Sequence, residues 1–337
     1  MTSSIVQFLL SAIVIVAAGA ALTQCGDIIS RRTRLGGLMV GSVLLAGATS
    51  LPELAIDIHA LRMESADLAV GDLMGSSLFN LLILVVLDLT RYSHGRMLSK
   101  TSARHAVGAS VSIMLTAIVG IFIFLGPQLE GVSLLRLGPG SFVLLAAYAF
   151  GVRLLYSDGD QEKSKEAEPE TGGLIPWLDR LGLKGAIVGY LVAAAVILAA
   201  APFLARAASD LAEETGLGGT FFGTTFVALC TSLPEVVTTF AAVRMKAFDL
   251  AIGNIFGSNC FNMIILVPLD VVAGGGLLAE VSRTHLYTAL CVIVVTGVVI
   301  LGQLHRVERR KSFLEPDALL ALVLILGSLT GLYFVRE

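Results

Sequence analysis

The stretch "ATSLPELAID" (residues 48–57) lies inside an apolar segment, and a second copy, "CTSLPEVVTT" (residues 230–239), occurs later in the chain. In each copy a proline directly precedes a glutamate. Because proline has no N–H, it leaves the carbonyl four residues earlier without its helical donor, here Ala48 and Cys230. Freed backbone and carboxylates occur at membrane depth only where they line a cavity or find other partners. The two stretches therefore predict two broken membrane helices that carry a polar site.

The composition is that of a membrane protein. Of the 337 residues, 55% are hydrophobic and only 15% are charged, and the mean hydropathy is +0.86. Apolar runs of about 20 residues, the length that crosses a hydrocarbon core, recur along almost the whole chain. The net charge of −3 and the lack of a basic patch argue against nucleic acid as a partner. We interpret the cysteines as small core residues, since none has CxxC spacing; they are Cys25, Cys230, Cys260 and Cys291.

The apolar runs predict an all-α polytopic membrane protein with ten transmembrane helices. No Lys or Arg precedes the first run, so we count it as a span rather than a cleaved signal peptide. The predicted spans cover about residues 5–24, 37–61, 66–90, 105–125, 139–156, 185–206, 219–243, 248–272, 285–304 and 317–335.

The positive charges predict the orientation of these spans. When residues at span ends are counted with the adjoining loop, 18 of the 23 Lys and Arg belong to the loops that follow odd-numbered spans. Positive charge accumulates on the cytoplasmic side, so we expect both termini outside, in a multi-pass protein of the cell (plasma or inner) membrane. Residues 157–184 then form a charged cytoplasmic linker between an N-terminal five-helix repeat, 1–156, and a C-terminal one, 185–337.

The two halves are related in sequence. A shift of 182 residues aligns residues 60–89 with 242–271, and 16 of these 30 positions are identical. The same shift superposes the two TSLPE signatures, residues 49–53 and 231–235. Because each half has five predicted spans, an odd number, the copies would cross the membrane in opposite directions. This predicts two inverted-topology repeats, an architecture typical of secondary transporters.

Polar side chains gather near the middle of predicted spans 2, 3, 7 and 8. The two glutamates would repel each other unless protons or a cation neutralise them. The donors are all oxygen atoms, which favours a hard cation such as Ca²⁺ or Na⁺ over zinc or copper. One proline alone could be a structural kink, but two copies with glutamate at the same offset favour a binding site. The predicted metal ligands are Glu53, Glu235, Thr49, Ser50, Thr231, Ser232, Ser76, Asn80, Ser258 and Asn262.

Two acids break the symmetry of the repeat. The shift aligns Asp57 with Thr239 and Asp72 with Asn254, so neither acid has an acidic counterpart. They are secondary candidates, which could line an access path or carry a proton.

The remaining acids in the spans are repeated in both halves. Asp67 and Asp249 open spans 3 and 8 and are interpreted as helix caps. Asp88 and Asp270 lie about 12 Å beyond the asparagines, at 1.5 Å rise per residue, and are interpreted as interfacial.

The motifs "ATSLPE…GDLMGSSLFN" and "CTSLPE…GNIFGSNCFN" resemble the two α-repeats of the calcium/cation antiporter superfamily, which includes the sodium/calcium exchangers. The resemblance implies alternating access at a midplane site where Ca²⁺ and Na⁺ compete, with Glu53 and Glu235 as principal ligands. It also implies that backbone carbonyls near Ala46 and Ala228 assist. The chain departs from the family pattern at Asp72, where Asn is usual, and at Ser77, where "GSN" is usual.

The leading hypothesis is a Na⁺/Ca²⁺ antiporter, in which the two carboxylates are neutralised either by Ca²⁺ or by monovalent cations. The alternatives are a H⁺/Ca²⁺ antiporter and a passive cation channel. We expect no enzyme activity, since no HExxH motif, paired GxGD-type aspartates or Ser–His dyad occurs at a common depth. We also expect no cofactor; the partners are the ions and the lipid bilayer. The sequence leaves open the coupling ion, the stoichiometry, the transport direction and the oligomeric state.

Overall fold

A computed structural model of the chain describes residues 2–33, 35–89, 102–159, 173–215, 228–304 and 316–335. Within these ranges the regular elements are helices, and the one strand-like pairing is an isolated bridge between Leu134 and Leu137. We number the main helices α1 Thr2–Arg32, α2 Gly36–Arg62, α3 Ala66–Leu89, α4 Ser102–Phe124, α5 Pro139–Gly159, α6 Leu183–Glu214, α7 Leu233–Arg244, α8 Phe248–Ala273, α9 Thr284–Leu304 and α10 Pro316–Val335.

Eight of the described helices are long and apolar enough to cross a membrane, namely α1 to α6, α8 and α9. The apolar part of α10, Ala318–Leu332, is shorter. The described part of the predicted seventh span comprises residues 228–231 and the 12-residue helix α7, and the rest of that span lies outside the described residues. The chain is thus a multi-span membrane protein, while the count of ten spans stays a prediction.

The chain divides into two compact units. Unit 1 comprises Met1–Glu53 and Gly159–Ile255. Within it α1 packs along α6 and against α7. The apolar core of this unit contains Ile15, Leu204 and Cys230.

Unit 2 comprises Leu54–Asp158 and Phe256–Glu337. Here α9 packs against α4, α3 and α10, and α10 also contacts α3. A larger apolar core fills this unit, with Leu73, Leu115 and Met263 fully buried.

The units do not coincide with the two sequence halves, because each unit contains helices from both. The division falls inside α2, after Glu53, and inside α8, after Ile255. The halves 1–156 and 185–337 therefore remain a prediction about sequence repeats rather than a description of compact units.

Part of the predicted linker belongs to unit 1. Residues 160–172 lie outside the described residues, but the segment that follows lies against α1. The Gln24 side chain, fully buried, donates to the Ile175 carbonyl (3.0 Å) and to Asp179 (2.6 Å), and accepts from the Ile175 N–H (2.8 Å). This amide thus fixes the polypeptide just before α6 begins.

Candidate cation site

The first TSLPE signature lies in the middle of α2. A π-helical segment, Val40–Leu45, precedes it, and such segments occur frequently at functional sites. The Thr49 hydroxyl donates to the Ala46 carbonyl at 3.2 Å. Pro52 lies inside the helix, so the Ala48 carbonyl has no N–H donor four residues later. Glu53, one residue further, is 1% exposed.

The second signature lies at a helix break. Residues 228–231 are helical, Ser232 leaves helical geometry at φ −80° and ψ 7°, and α7 then begins. The Thr231 hydroxyl donates to the Ala228 carbonyl at 2.9 Å, which repeats the bond made by Thr49 in the first copy. Ala228 also accepts from the Ser232 N–H at 3.1 Å. A cation at this carbonyl would therefore compete with two hydrogen bonds.

Unit 1 holds both signatures, although they are 182 residues apart in sequence. All their oxygen-bearing side chains are buried. The Ser50 and Ser232 hydroxyls make no hydrogen bond with any described residue. Unit 1 thus contains two carboxylates and four hydroxyls away from solvent; they belong to Thr49, Ser50, Glu53, Thr231, Ser232 and Glu235.

The other four predicted ligands lie in unit 2, on α3 and α8, and all are buried. The Asn80 amide donates to the Asn259 carbonyl oxygen at 3.0 Å. The Asn262 amide donates to the Leu73 carbonyl and to the Ser77 hydroxyl, both at 3.2 Å. These amide nitrogens are therefore used to join α3 to α8. Among the described residues, the Asn80 Oδ1 atom and the Ser76 hydroxyl have no hydrogen-bond partner, so their lone pairs are available to a cation.

Asn259 is a residue that the sequence analysis missed. It accepts from Asn80 and donates to the Ser77 carbonyl at 3.3 Å, while the Ser77 hydroxyl donates to the Leu73 carbonyl at 2.9 Å. Ser77 and Asn259 are partners in the 182-residue shift. Each of the two residues directly follows the Gly-Ser dipeptide of its repeat, and both are polar. This polar position, common to both repeats, could have identified Asn259 from the sequence.

The asymmetric acids have a neutral counterpart in unit 1. There the Asn254 amide donates to the Thr238 and Thr239 hydroxyls, each at 3.0 Å, and joins α8 to α7. In unit 2, Asp57 is 1% exposed and Asp72 is half-buried. At the two positions where unit 1 has a hydrogen-bonded amide and hydroxyl, unit 2 therefore has two acids.

Two acids interpreted as a cap and an interfacial residue make further contacts. Asp67 lies in the first turn of α3, and its carboxylate also accepts from the Ser282 N–H (2.6 Å) and pairs with His285 (3.0 Å). Asp270 is buried and accepts four hydrogen bonds, between 2.6 and 2.9 Å, from the N–H groups of residues 138, 276 and 277 and from the Ser141 hydroxyl. Asp270 therefore anchors the start of α5 and the loop after α8.

The side chains available to a metal are few. Among the described residues, no group of three or more His, Cys, Asp or Glu side chains converges on one point. A cation held by the signatures would thus have two carboxylates at most, and its other ligands would be hydroxyl, amide or backbone oxygens. Such a mixed oxygen set suits a hard cation.

The fold matches that of solved structures of the sodium-calcium exchanger NCX_Mj. One of them superposes with a TM-score of 0.70, covering 98% of each chain at 18% sequence identity.

Curated relatives match over most of their length. The chain is 25% identical to inner membrane protein YrbG of Escherichia coli (strain K12), covering 81% of this chain and 80% of the relative. It is 24% identical to sodium/calcium exchanger MaX1 of Methanosarcina acetivorans, covering 80% of this chain and 83% of the relative.

The family model described as "Sodium/calcium exchanger protein" matches residues 3–157 and 185–334, which is most of the chain. This family consists of membrane exchangers rather than enzymes. The resemblance recognised in the two α-repeats is therefore confirmed, and the chain belongs to the sodium/calcium exchanger family of the calcium/cation antiporter superfamily.

Proposed function

We propose that this protein is a secondary-active antiporter that exchanges Ca²⁺ for Na⁺ by alternating access. The observation that carries the proposal is the pair of signature glutamates, Glu53 and Glu235, each 1% exposed and both in unit 1. Two buried carboxylates in a membrane protein cost several kcal/mol each unless they are compensated. One Ca²⁺ or two Na⁺ would compensate them equally well.

Exchange follows if Ca²⁺ and Na⁺ cannot occupy the site at the same time. Ca²⁺ and Na⁺ would use the same carboxylates, so the site cannot be filled by both at once. An unoccupied site would have to return with two buried carboxylates and no bound cation, which the low-dielectric barrier opposes. These two properties together favour antiport over a passive channel.

In this proposal the ligands of unit 1 are the two glutamates with the four signature hydroxyls. The carbonyls of Ala46 and Ala228 lie beside them, each bonded to a signature threonine. The four polar residues of unit 2, Ser76, Asn80, Ser258 and Asn262, remain candidate ligands from the sequence. We locate the protein in the cell (plasma or inner) membrane, with its termini outside and its linker cytoplasmic, as the positive charges predict.

A H⁺/Ca²⁺ antiporter is the second candidate. One observation favours it, namely the two additional acids Asp57 and Asp72, whose repeat partners are neutral. Protons could then replace Na⁺ as the coupling ion.

The test is Ca²⁺ flux in proteoliposomes made with purified protein. A Na⁺ gradient, a pH gradient and a K⁺ gradient are imposed separately, each at fixed membrane potential. We expect Ca²⁺ uptake against its gradient when Na⁺ leaves the vesicle, and no uptake with K⁺. Uptake driven by the pH gradient and indifferent to Na⁺ would reject the sodium version in favour of proton exchange. Flux that follows the Ca²⁺ gradient alone would reject antiport.

A further inference from the structure

The acids Asp57 and Asp72 have no role in the Na⁺/Ca²⁺ exchange proposed above. Both lie in unit 2, on α2 and α3, two helices that follow each other directly in the chain. Their repeat partners in unit 1, Thr239 and Asn254, touch directly, with amide nitrogen and hydroxyl oxygen 3.0 Å apart. The same pair of positions thus holds a satisfied hydrogen bond in one half and two acids in the other.

Three of the four carboxylate oxygens of these two acids have no hydrogen-bond partner among the described residues. Asp57 is 1% exposed, and neither of its carboxylate oxygens accepts a hydrogen bond from a described residue. The Oδ2 atom of Asp72 is buried and equally without a partner. Two ionised carboxylates in this setting would repel each other with no donor to offset the cost of burial.

The charged and titratable groups nearby do not supply the missing charge. On α2 these groups are Glu53, one turn before Asp57, and two exposed side chains, His59 and Arg62, neither of which bonds Asp57. The other charged groups on α3 are the acids Asp67 and Asp88. On α9, which packs against α3, His285 is bound to Asp67, and Tyr287 and Cys291 carry no positive charge. The described side chains of α10 include no charged group, and the titratable groups of α8 are Asp249, Cys260 and Asp270, none of them a cation.

We propose that Asp57 and Asp72 form a proton-binding carboxyl pair, in which one proton is shared between the two side chains. A proton needs only two carboxyl oxygens, whereas a metal ion needs several ligands, and among the described residues no third acidic, His or Cys side chain converges with the two acids. With the proton bound, one acid becomes a hydrogen-bond donor and the pair imitates the Asn254–Thr239 contact. The pair carries one negative charge instead of two.

Infrared spectroscopy of the full-length protein in lipid nanodiscs tests this directly, because a protonated carboxyl has a C=O stretch that an ionised one lacks. The variant is Asp57→Thr/Asp72→Asn, which installs the neutral pair that the second half already uses. The control is Glu64→Gln, which removes an exposed acid from the turn between the same helices. Monodispersity and thermal unfolding establish that both variants fold.

We expect wild type to exceed the double variant by about one protonated carboxyl per chain near neutral pH, with a band that shifts in deuterated buffer. The Glu64→Gln variant should show no such loss. The proposal is overturned if the wild-type and double-variant spectra coincide, or if Na⁺ at constant pH removes the band, since the pair would then hold a metal cation.

This outcome is independent of the exchange mechanism. If the band is lost in the double variant while Na⁺-driven Ca²⁺ flux persists, both proposals stand. If wild type has the band but transports no Ca²⁺ under any gradient, the proton pair stands and the proposed exchange fails. Loss of the pH dependence of Ca²⁺ flux in the double variant would further support the pair, and an unchanged profile together with an unchanged spectrum would reject it.

Discussion

Glu53 and Glu235 occupy the same position in two local structures that differ. The first is in a continuous helix that tolerates Pro52, whereas the second follows a break at Ser232 and lies in the first turn of α7. In both copies the threonine four residues earlier bonds the carbonyl three residues before it. The carboxylates are therefore presented by short polar segments that share this threonine-to-backbone hydrogen bond.

Replacing either glutamate by glutamine removes one of the two charges while it keeps the size of the side chain. We expect Glu53→Gln and Glu235→Gln to reduce Ca²⁺ flux in proteoliposomes to background, because a divalent cation would lose half of its charge compensation. Glu64→Gln, in an exposed turn, serves as the control and should transport normally. Near-normal flux in a well-folded Glu53→Gln or Glu235→Gln protein would contradict the assignment.

Asn259 joins α3 to α8 through two hydrogen bonds, one to Asn80 and one to Ser77. Its replacement by alanine leaves buried polar groups unpaired, which costs about 1–3 kcal/mol. We expect Asn259→Ala to lower the thermal unfolding temperature and the apparent Ca²⁺ affinity together. Ser328→Ala, which removes a hydroxyl that donates to the Leu324 carbonyl of its own helix, should change neither. An unfolding temperature equal to that of wild type would show that Asn259 does not join the helices.

At the scale of elements, unit 1 contains a close crossing of α2 and α8. A Cβ at Gly253 would lie 2.6 Å from the Leu38 carbonyl, and one at Gly41 would lie 2.5 Å from the Leu250 carbonyl. The two backbones therefore meet without intervening side chains, as small residues allow in membrane helices. This contact lies directly beside the π-helical segment that precedes the first signature.

Gly253→Ala tests this crossing. The methyl group would collide with backbone rather than with a movable side chain, so we expect a loss of about 1–3 kcal/mol of stability and slower transport. Gly297→Ala on α9 is the matched control, because a Cβ there meets nothing within 4 Å. The control should be neutral or slightly stabilising, by up to about 1 kcal/mol. A Gly253→Ala protein as stable as the control would mean that the helices can separate freely.

The observed helix lengths can be compared with those that hydrophobicity predicts. Hydrophobicity predicts α3 as residues 66–90, and the helix observed is Ala66–Leu89. It predicts the first span as residues 5–24, whereas α1 continues to Arg32. The additional turns contain Ser30, which is polar but buried in unit 1. Hydropathy predicts the part of a helix that crosses the lipid, whereas packing against the rest of the protein determines how far the helix extends beyond it.

At the scale of the whole molecule, the chain is an exchanger-family membrane protein whose sidedness is a prediction from charge. Most Lys and Arg belong to the loops that follow odd-numbered spans, which predicts a cytoplasmic linker and external termini. Both family-model segments exclude residues 158–184, the greater part of that linker.

Cysteine labelling in intact cells tests the sidedness. A cysteine at Ser164 in the linker should resist a membrane-impermeant maleimide until the cells are opened, whereas one at Glu337 should react at once. The unaltered protein is the background control, since three of its four cysteines are buried and Cys291 is only partly exposed. Reaction of the linker cysteine in intact cells would reverse the proposed topology.

The family was indicated by the resemblance of the two motifs to known α-repeats. The sequence by itself determined the membrane class, the duplicated signatures and the identity of the candidate ligands. These follow from hydrophobic length, from the spacing of Pro and Glu, and from an internal repeat, all of which are local or periodic properties of the chain. It also marked Asp57 and Asp72, because a repeat shows where its two copies differ.

Only the tertiary structure decided which polar atoms are already paired. Asn259 with Asn80, Gln24 with the segment before α6, and Asp270 with the start of α5 join residues more than 100 positions apart. Such pairs depend on which helix faces meet and on the direction of each amide, and a hydropathy pattern contains neither. For the same reason the compact units, which divide α2 directly after Glu53, could not be predicted from the two sequence halves.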